Sequence, residues 1–274
     1  MVPALLVLTD FRQPANHALA YAAQLAEAIG ARLVLLHVHR DALLDPARLT
    51  GLTADLSAEA TQLAFARLTR ELPVPALAEI AHGRVTDAVI AALQKHHPAL
   101  LVVGRTATAG TPDELVTATA LDLLRAAPYP MLVVPNARHP RLAPGRVLLA
   151  VDGESFSLGP HAGPARLLLN ALHPTLTVLH VTDQPATADK KSEALASVQR
   201  TGLLIDLPAP PLARTMRAAD PATGILQTAQ PAAYDLVAVI ARPRSFLGAF
   251  FHQSVTAHVL LHSALPVLVL PATA

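Results

Sequence analysis

The side chains of this chain that could do chemistry are chiefly histidine and aspartate. There are thirteen histidines and no cysteine, which excludes thiolate catalysis, disulfides and cysteine-containing zinc sites. His258 and His262 are four residues apart, on one face if the segment is helical, with His252 nearby. His37 and His39 share one face at the end of a strand. Zinc needs three or four converging ligands, and the sequence has no His-Glu-x-x-His pattern. No metal site is therefore assigned. His96-His97 reads as a helix end, where cationic or polar groups suit the dipole. Asp10 and Asp152 each close a short apolar run, LLVLTD and LLAVD. That places them at the carboxyl end of a strand, where open α/β sheets bind ligands. The simpler role is a loop carboxylate that accepts from neighbouring N–H groups. The sequence has neither a Gly-x-Ser-x-Gly elbow nor a Walker-type Gly-Lys-Ser/Thr. No catalytic residue is assigned, and the chain is read as not an enzyme.

The elements that carry these residues alternate. Ala4 to Thr9 is a continuous apolar run, as expected of a strand buried on both faces. From about Ala15 to Ile29, Leu19, Ala22, Leu25, Ala26 and Ile29 form one helical stripe, which Gly30 can end in the left-handed conformation. Arg32–Val38, Ala76–Ile80, Ala99–Val103 and Leu132–Val134 read as further strands. Helices are expected from about Ser57, a candidate N-cap, to Glu71, and from Val85 to His96. The rhythm restarts at Val147, with strands at Leu176–Val181, Leu212–Met216 and Leu236–Ile240. Ala188–Thr201 is a helix candidate, Asp220-Pro221 begins another, and Leu203–Pro211 stays ambiguous. Leu100–Pro135 and Leu236–Pro271 align without a gap at an offset of 136, so the chain is an internal duplication. Alternating strands and helices give parallel sheets with right-handed crossovers. Asn136–Gly145, with two prolines and a glycine, is the natural linker. The expected domains are residues 1–137 and 145–274.

Composition narrows the function. Aromatics make up 3% of the 274 residues and Trp is absent, which argues against stacking platforms for single-stranded nucleic acid. A net charge of +1 with scattered Lys and Arg leaves no electrostatic footprint for DNA or RNA. Ser245–Ala274 carries no formal charge, but His252, Gln253, His258, His262 and Pro266 break it, so it is not a spanning helix. The N-terminus lacks the basic region and long apolar core of a signal peptide. The expectation is a soluble cytoplasmic protein that binds neither nucleic acid nor membrane.

Those positions together resemble the universal stress proteins, as a tandem member. The features that carry the resemblance are VLTDF and LAVDG at the first strands, LLHV and VLHV at the second, and the closing PMLVVP and PVLVLP. The resemblance implies two doubly wound, Rossmann-like parallel sheets of five strands each, in order 3-2-1-4-5, of the adenine nucleotide alpha hydrolase kind. It implies a stress-response role without catalysis, through an unknown protein partner. Its ATP-binding members carry glycine, two residues, glycine, nine residues, then Gly-Ser or Gly-Thr, and their matching Asp lies near the nucleoside. Here Gly104 holds the first glycine, Ala107 replaces the second and Thr117-Ala118 the last pair. In the second copy Ile240, Pro243 and Gln253 replace all three, and Pro243 has no N–H to offer. Thr111-Pro112-Asp113-Glu114 would start a helix inside the first loop and set two carboxylates near any phosphate. No cofactor is therefore expected. A vestigial ATP site, the alternative reading as a nucleotide-binding sensor, would use Asp10, Gly104, Thr106 and Thr108 of the first copy.

The fifth strands, Met131–Val134 and Val267–Leu270, lie at sheet edges in that order and are apolar on both faces. Exposed apolar edges invite aggregation, so the two copies are expected to pair antiparallel as an intramolecular pseudo-dimer, with Val133 beside Val269. Single-domain members of the family dimerise through the same strand. A homodimer of the whole chain is a further assembly the reading allows.

Overall fold

The structure, a computed structural model, describes residues 2–39, 58–105, 118–136, 144–185, 188–242 and 254–273. The first half runs β1 (Ala4–Leu8), α1 (Gln13–Ile29), β2 (Arg32–His39), α2 (Ala58–Glu71), β3 (Ala76–His82), α3 (Val85–His96), β4 (Leu100–Arg105), α4 (Ala118–Ala126) and β5 (Met131–Pro135). The second runs β6 (Arg146–Val151), a 3-10 turn (Gly159–His161), α5 (Ala162–Leu172), β7 (Thr175–Thr182), α6 (Ala188–Gln199), β8 (Leu212–Arg217), α7 (Pro221–Thr228), β9 (Leu236–Ala241), α8 (Val255–His262) and β10 (Val267–Pro271). Most expected elements appear, with strand ends shifted by a residue or two. The Leu203–Pro211 stretch forms turns, and α5 is a helix that the sequence reading did not place. Gly30 ends α1 at φ 65°, the left-handed cap expected.

Within each half all strand pairs are parallel, in the order 3-2-1-4-5. The halves are not two separate sheets. β5 and β10 pair antiparallel and join them into one sheet of ten strands, β3-β2-β1-β4-β5-β10-β9-β6-β7-β8. Two separate sheets and a shared edge could not both hold, and the edge pairing prevails because it leaves no apolar edge at the centre. The register differs from the one expected. Leu132 faces Leu268, Val133 faces Val267 and Met131 faces Val269. Leu132 and Leu268 are equivalent in the repeat, so the local two-fold passes between them.

Side chains alternate across this sheet. Leu5, Val7, Leu132 and Leu268 join α1, α2, α5 and α6 in one apolar layer. Leu6, Met131, Val133, Val267 and Val269 join α3, α4, α7 and α8 in the other. Each layer runs through both halves without a break. Among the described residues no helix is long and apolar enough to cross a membrane.

Candidate functional site

The carboxyl ends of β1 and β4 carry Asp10 and Gly104, and that of β6 carries Asp152; the two sets lie at opposite edges of the joined sheet because β5 and β10 run antiparallel. In the first half, Asp10 Oδ1 accepts from Arg12 N at 3.0 Å, and Arg12 Nε is 4.0 Å from its Oδ2. Both side chains are more than half exposed. Phe11 follows at φ 61°, a left-handed conformation that costs a non-glycine residue about 1–2 kcal/mol. Packing holds it there. Its ring centroid is 4.9 Å from His37 and 5.0 Å from Phe65. His37 donates through Nδ1 to Thr9 O at 2.9 Å. His39 packs edge-on to His37 at 4.7 Å and stacks on His82 at 5.4 Å. These rings form a wall beside Asp10 that no local sequence pattern signals.

Gly104 follows the buried run 100–103 of β4, and its missing Cβ is used. A Cβ there would stand 2.5 Å from Pro14 O, 2.7 Å from Pro14 C and 3.1 Å from Ala15 N. The first turn of α1 lies directly on this glycine. The next residue, Arg105, leaves the first half altogether. Its guanidinium donates to Leu260 O at 2.6 Å and Ser263 O at 2.7 Å, closing carbonyls at the end of α8 in the second half. A cation at a helix C-terminus complements the dipole as well as the orphan acceptors. Thr106, Thr108 and the Thr111–Glu114 segment lie outside the described residues, as do Ser57, His252, Pro243, Gln253 and most of the Asn136–Gly145 linker.

The second half is arranged differently. Asp152 Oδ1 accepts from Glu154 N at 3.0 Å, repeating the Asp10 turn. Its carboxylate is also held by Arg242 on both oxygens, Nε to Oδ2 and Nη2 to Oδ1, each at 3.0 Å. The same guanidinium donates to Ser155 O at 3.0 Å and Glu154 O at 3.2 Å, and lies 6.0 Å from the centroid of Phe156. Arg242 is 6% exposed, a nearly complete burial for an arginine. Gly153 adopts φ 83° beside His180, whose buried Nδ1 finds no hydrogen-bond partner among the described residues. Beyond the turn, Ser157 pairs through N and O with Thr273, and Phe156 and Leu158 are buried. Ser254 caps α8 by accepting from Ala257 N at 3.1 Å.

Sequence reasoning missed both arginines. Arg242 could have been noticed as a guanidinium ending an apolar strand at the same sheet edge as Asp152. Nothing in the sequence signals the reach of Arg105. Among the histidines, His258 and His262 sit 4.6 Å apart by ring centroid on α8. Among the described residues no group of three or more His, Asp or Glu is placed to hold a metal ion. His96 does end α3, with His97 as a left-handed cap. Its side chain is buried and its Nε2 is 2.6 Å from Glu79 Oε2, which Lys95 also reaches at 3.1 Å. Burial alone would raise the Glu79 carboxyl, but the hydrogen bonds and charges of His96 and Lys95 outweigh it and hold it below the usual range.

Two doubly wound parallel halves, each with an aspartate after its first strand, define a duplicated Rossmann-like protein. The model of the universal stress protein family matches residues 1–135 and again 144–271. The chain belongs to that family and carries its domain twice. Its fold is similar to that of a universal stress protein from Archaeoglobus fulgidus DSM 4304, with TM-score 0.71 and 15% identity over 98% of both chains. It is also similar to a candidate universal stress protein from Pseudomonas aeruginosa UCBPP-PA14, with TM-score 0.66 and 20% identity over 99% of this chain and 94% of that one. A functionally unknown protein from Pseudomonas aeruginosa PAO1 gives TM-score 0.64 at 20% identity, over 98% and 92%. No curated protein sequence matches the chain.

Proposed function

We propose that this chain is a non-enzymatic, cytoplasmic stress-response protein that acts by binding a protein partner, with phosphate loops too degenerate to hold ATP. The carrying observation is Gly104. Glycine at the first loop position normally suggests a backbone cleared for phosphate. Here the space beside it is filled by the backbone of Pro14 and Ala15, so packing of α1 on β4 is a sufficient reason for the glycine. The equivalent residue in the second half is Ile240, which carries a side chain into the matching position. Neither copy thus keeps a glycine that a phosphate alone explains. The test is mass spectrometry of small molecules released from protein purified without added nucleotide, with calorimetric titration of ATP. The reading expects no stoichiometric nucleotide and no saturable heat at micromolar ATP.

One observation favours the alternative, an adenine-nucleotide sensor that works through the first half. Asp10 presents a half-exposed carboxylate beside the Phe11–His37 wall, at the ligand-binding edge of the sheet. That sensor would use Asp10, Gly104, Thr106 and Thr108. Stoichiometric ATP whose binding is lost in Asp10→Ala and kept in Asp152→Ala would establish it and displace the partner-binding reading.

A further inference from the structure

We propose that the carboxyl end of the second half is a guanidinium-binding site, and that the chain's own Arg242 is its resident ligand. The site has what a planar cation needs. Asp152 presents both carboxylate oxygens to one edge of the guanidinium at 3.0 Å each. Ser155 O and Glu154 O accept from Nη1 and Nη2 at 3.0 and 3.2 Å. Glu154 Oε2 adds negative charge at 3.8 Å, and Phe156 lines one side. The carboxylate pair is the fork geometry that arginine matches and lysine does not. The occupant closes the site. By gathering Asp152, Glu154 and Ser155 it folds the 152–158 segment over the ends of β6 and β9, where Ser157 then pairs with Thr273. The position of Arg242 in the repeat is held by Thr106 in the first half, which supplies no such cation. The second half is therefore liganded from within, whether or not the first half binds anything.

The consequence can be measured by chemical rescue. Arg242→Ala empties the site but leaves its walls. In hydrogen exchange, the amides of Glu154 and Ser157 are expected to lose protection by about tenfold or more, as the loss of charge-assisted bonds implies. Millimolar ethylguanidinium should restore that protection saturably in Arg242→Ala, while ethylammonium at the same concentration should not. Wild-type protein, already occupied, should not respond to either. Asp152→Asn should lose the same protection and resist rescue. Unchanged protection in Arg242→Ala, equal rescue by ethylammonium, or rescue of Asp152→Asn would each overturn the proposal. If Arg242→Ala does not fold, Arg242→Lys serves in its place. It keeps the charge and loses the fork, so the 153–158 amides should still be deprotected while the β6 and β9 amides are not. Wild-type protection at 153–158 in Arg242→Lys would equally refute the site.

Discussion

Replacing Gly104 by Ala adds one methyl group at the most constrained glycine described in the first half. The new Cβ would sit 2.5 Å from Pro14 O and 2.7 Å from Pro14 C, where ordinary contact begins near 3.4 Å. Both neighbours are backbone in the first turn of a seventeen-residue helix, so no rotamer change can relieve the overlap. α1 must retreat from β4 by about 1 Å, or β4 must bend away from β1 and β5. Overpacking of this kind costs about 1–3 kcal/mol, and the immovable backbone puts this case at the upper end. The loss of unfolded-state entropy returns about 0.4–1 kcal/mol. The expected net destabilisation is about 2 kcal/mol, or about 4–8 °C in Tm for a chain of this size. Urea unfolding, with its slope checked for constancy, reads it directly. Gly163→Ala in α5 is the internal reference. A Cβ there meets nothing within 4 Å, so that variant should be neutral or slightly stabilising. If Gly104→Ala unfolds with wild-type stability, the packing account of this glycine is refuted and its retention needs another explanation.

Cysteines at Leu132 and Leu268 should form an intrachain crosslink under mild oxidation, read as a shift on non-reducing gels, because these residues face each other across the local two-fold. The Val133/Val269 pair, offset along the strands, should crosslink far less. Glu79 is held below its ordinary pKa of 4.5 in the folded protein, so its contribution is present above that pH and is lost as pH falls through the lower folded value. Glu79→Gln should therefore lower Tm at pH 7 and shrink the difference from wild type as pH drops below about 4.5. Burial lowers the pKa of His161, against a hydrogen bond to the Pro128 backbone, and its ring packs on Tyr129 of the first half at 5.0 Å. Its neutral form is favoured on folding, so its contribution is present above pH 6.5 and declines as pH falls towards the folded value. Tm measured from pH 7.5 to 5.5 should fall less in His161→Gln than in wild type.

The central strands were legible because each is a short apolar run that ends at a polar or helix-starting residue, as LLVL does before Thr9-Asp10. Helix α3 was read to the residue because His96-His97 and Pro98 stop it. The β5–β10 register was not legible, for a physical reason. MLVVP and VLVLP are buried at every position, so sliding one against the other exposes nothing, and alternation carries no register information. The arginine contacts were hidden for another. Arg242 meets Asp152 from ninety residues away and Arg105 meets α8 from more than a hundred and fifty, so no local period encodes either. Phe11 was unreadable because its backbone conformation is one that Phe does not favour. Rings from β2 and α2 impose it, while the second half uses Gly153 at the matching turn.

Three consecutive positions at the end of the fourth strand separate the two copies. The first half reads Gly104-Arg105-Thr106 and the second Ile240-Ala241-Arg242. Each change follows from what lies above it. In the first half α1 begins directly after Arg12 and its first turn presses on β4, so the strand must offer a glycine there. In the second half the 152–158 segment and a 3-10 turn come before α5, and the strand keeps a side chain, Ile240, packed on the apolar layer. The longer segment brings carbonyls that need a donor, and a guanidinium one position further along supplies it from within the same half. Ala241 is fully buried and could not carry a charge outward, so the second half has no counterpart to Arg105. The arginine of the first half instead crosses the two-fold and closes the end of α8. Both arginines thus serve the second half, one through its loop and one through its last helix. By this assignment the second half is the braced one, while in the first half the Asp10 carboxylate stays half-exposed with Arg12 as its neighbour.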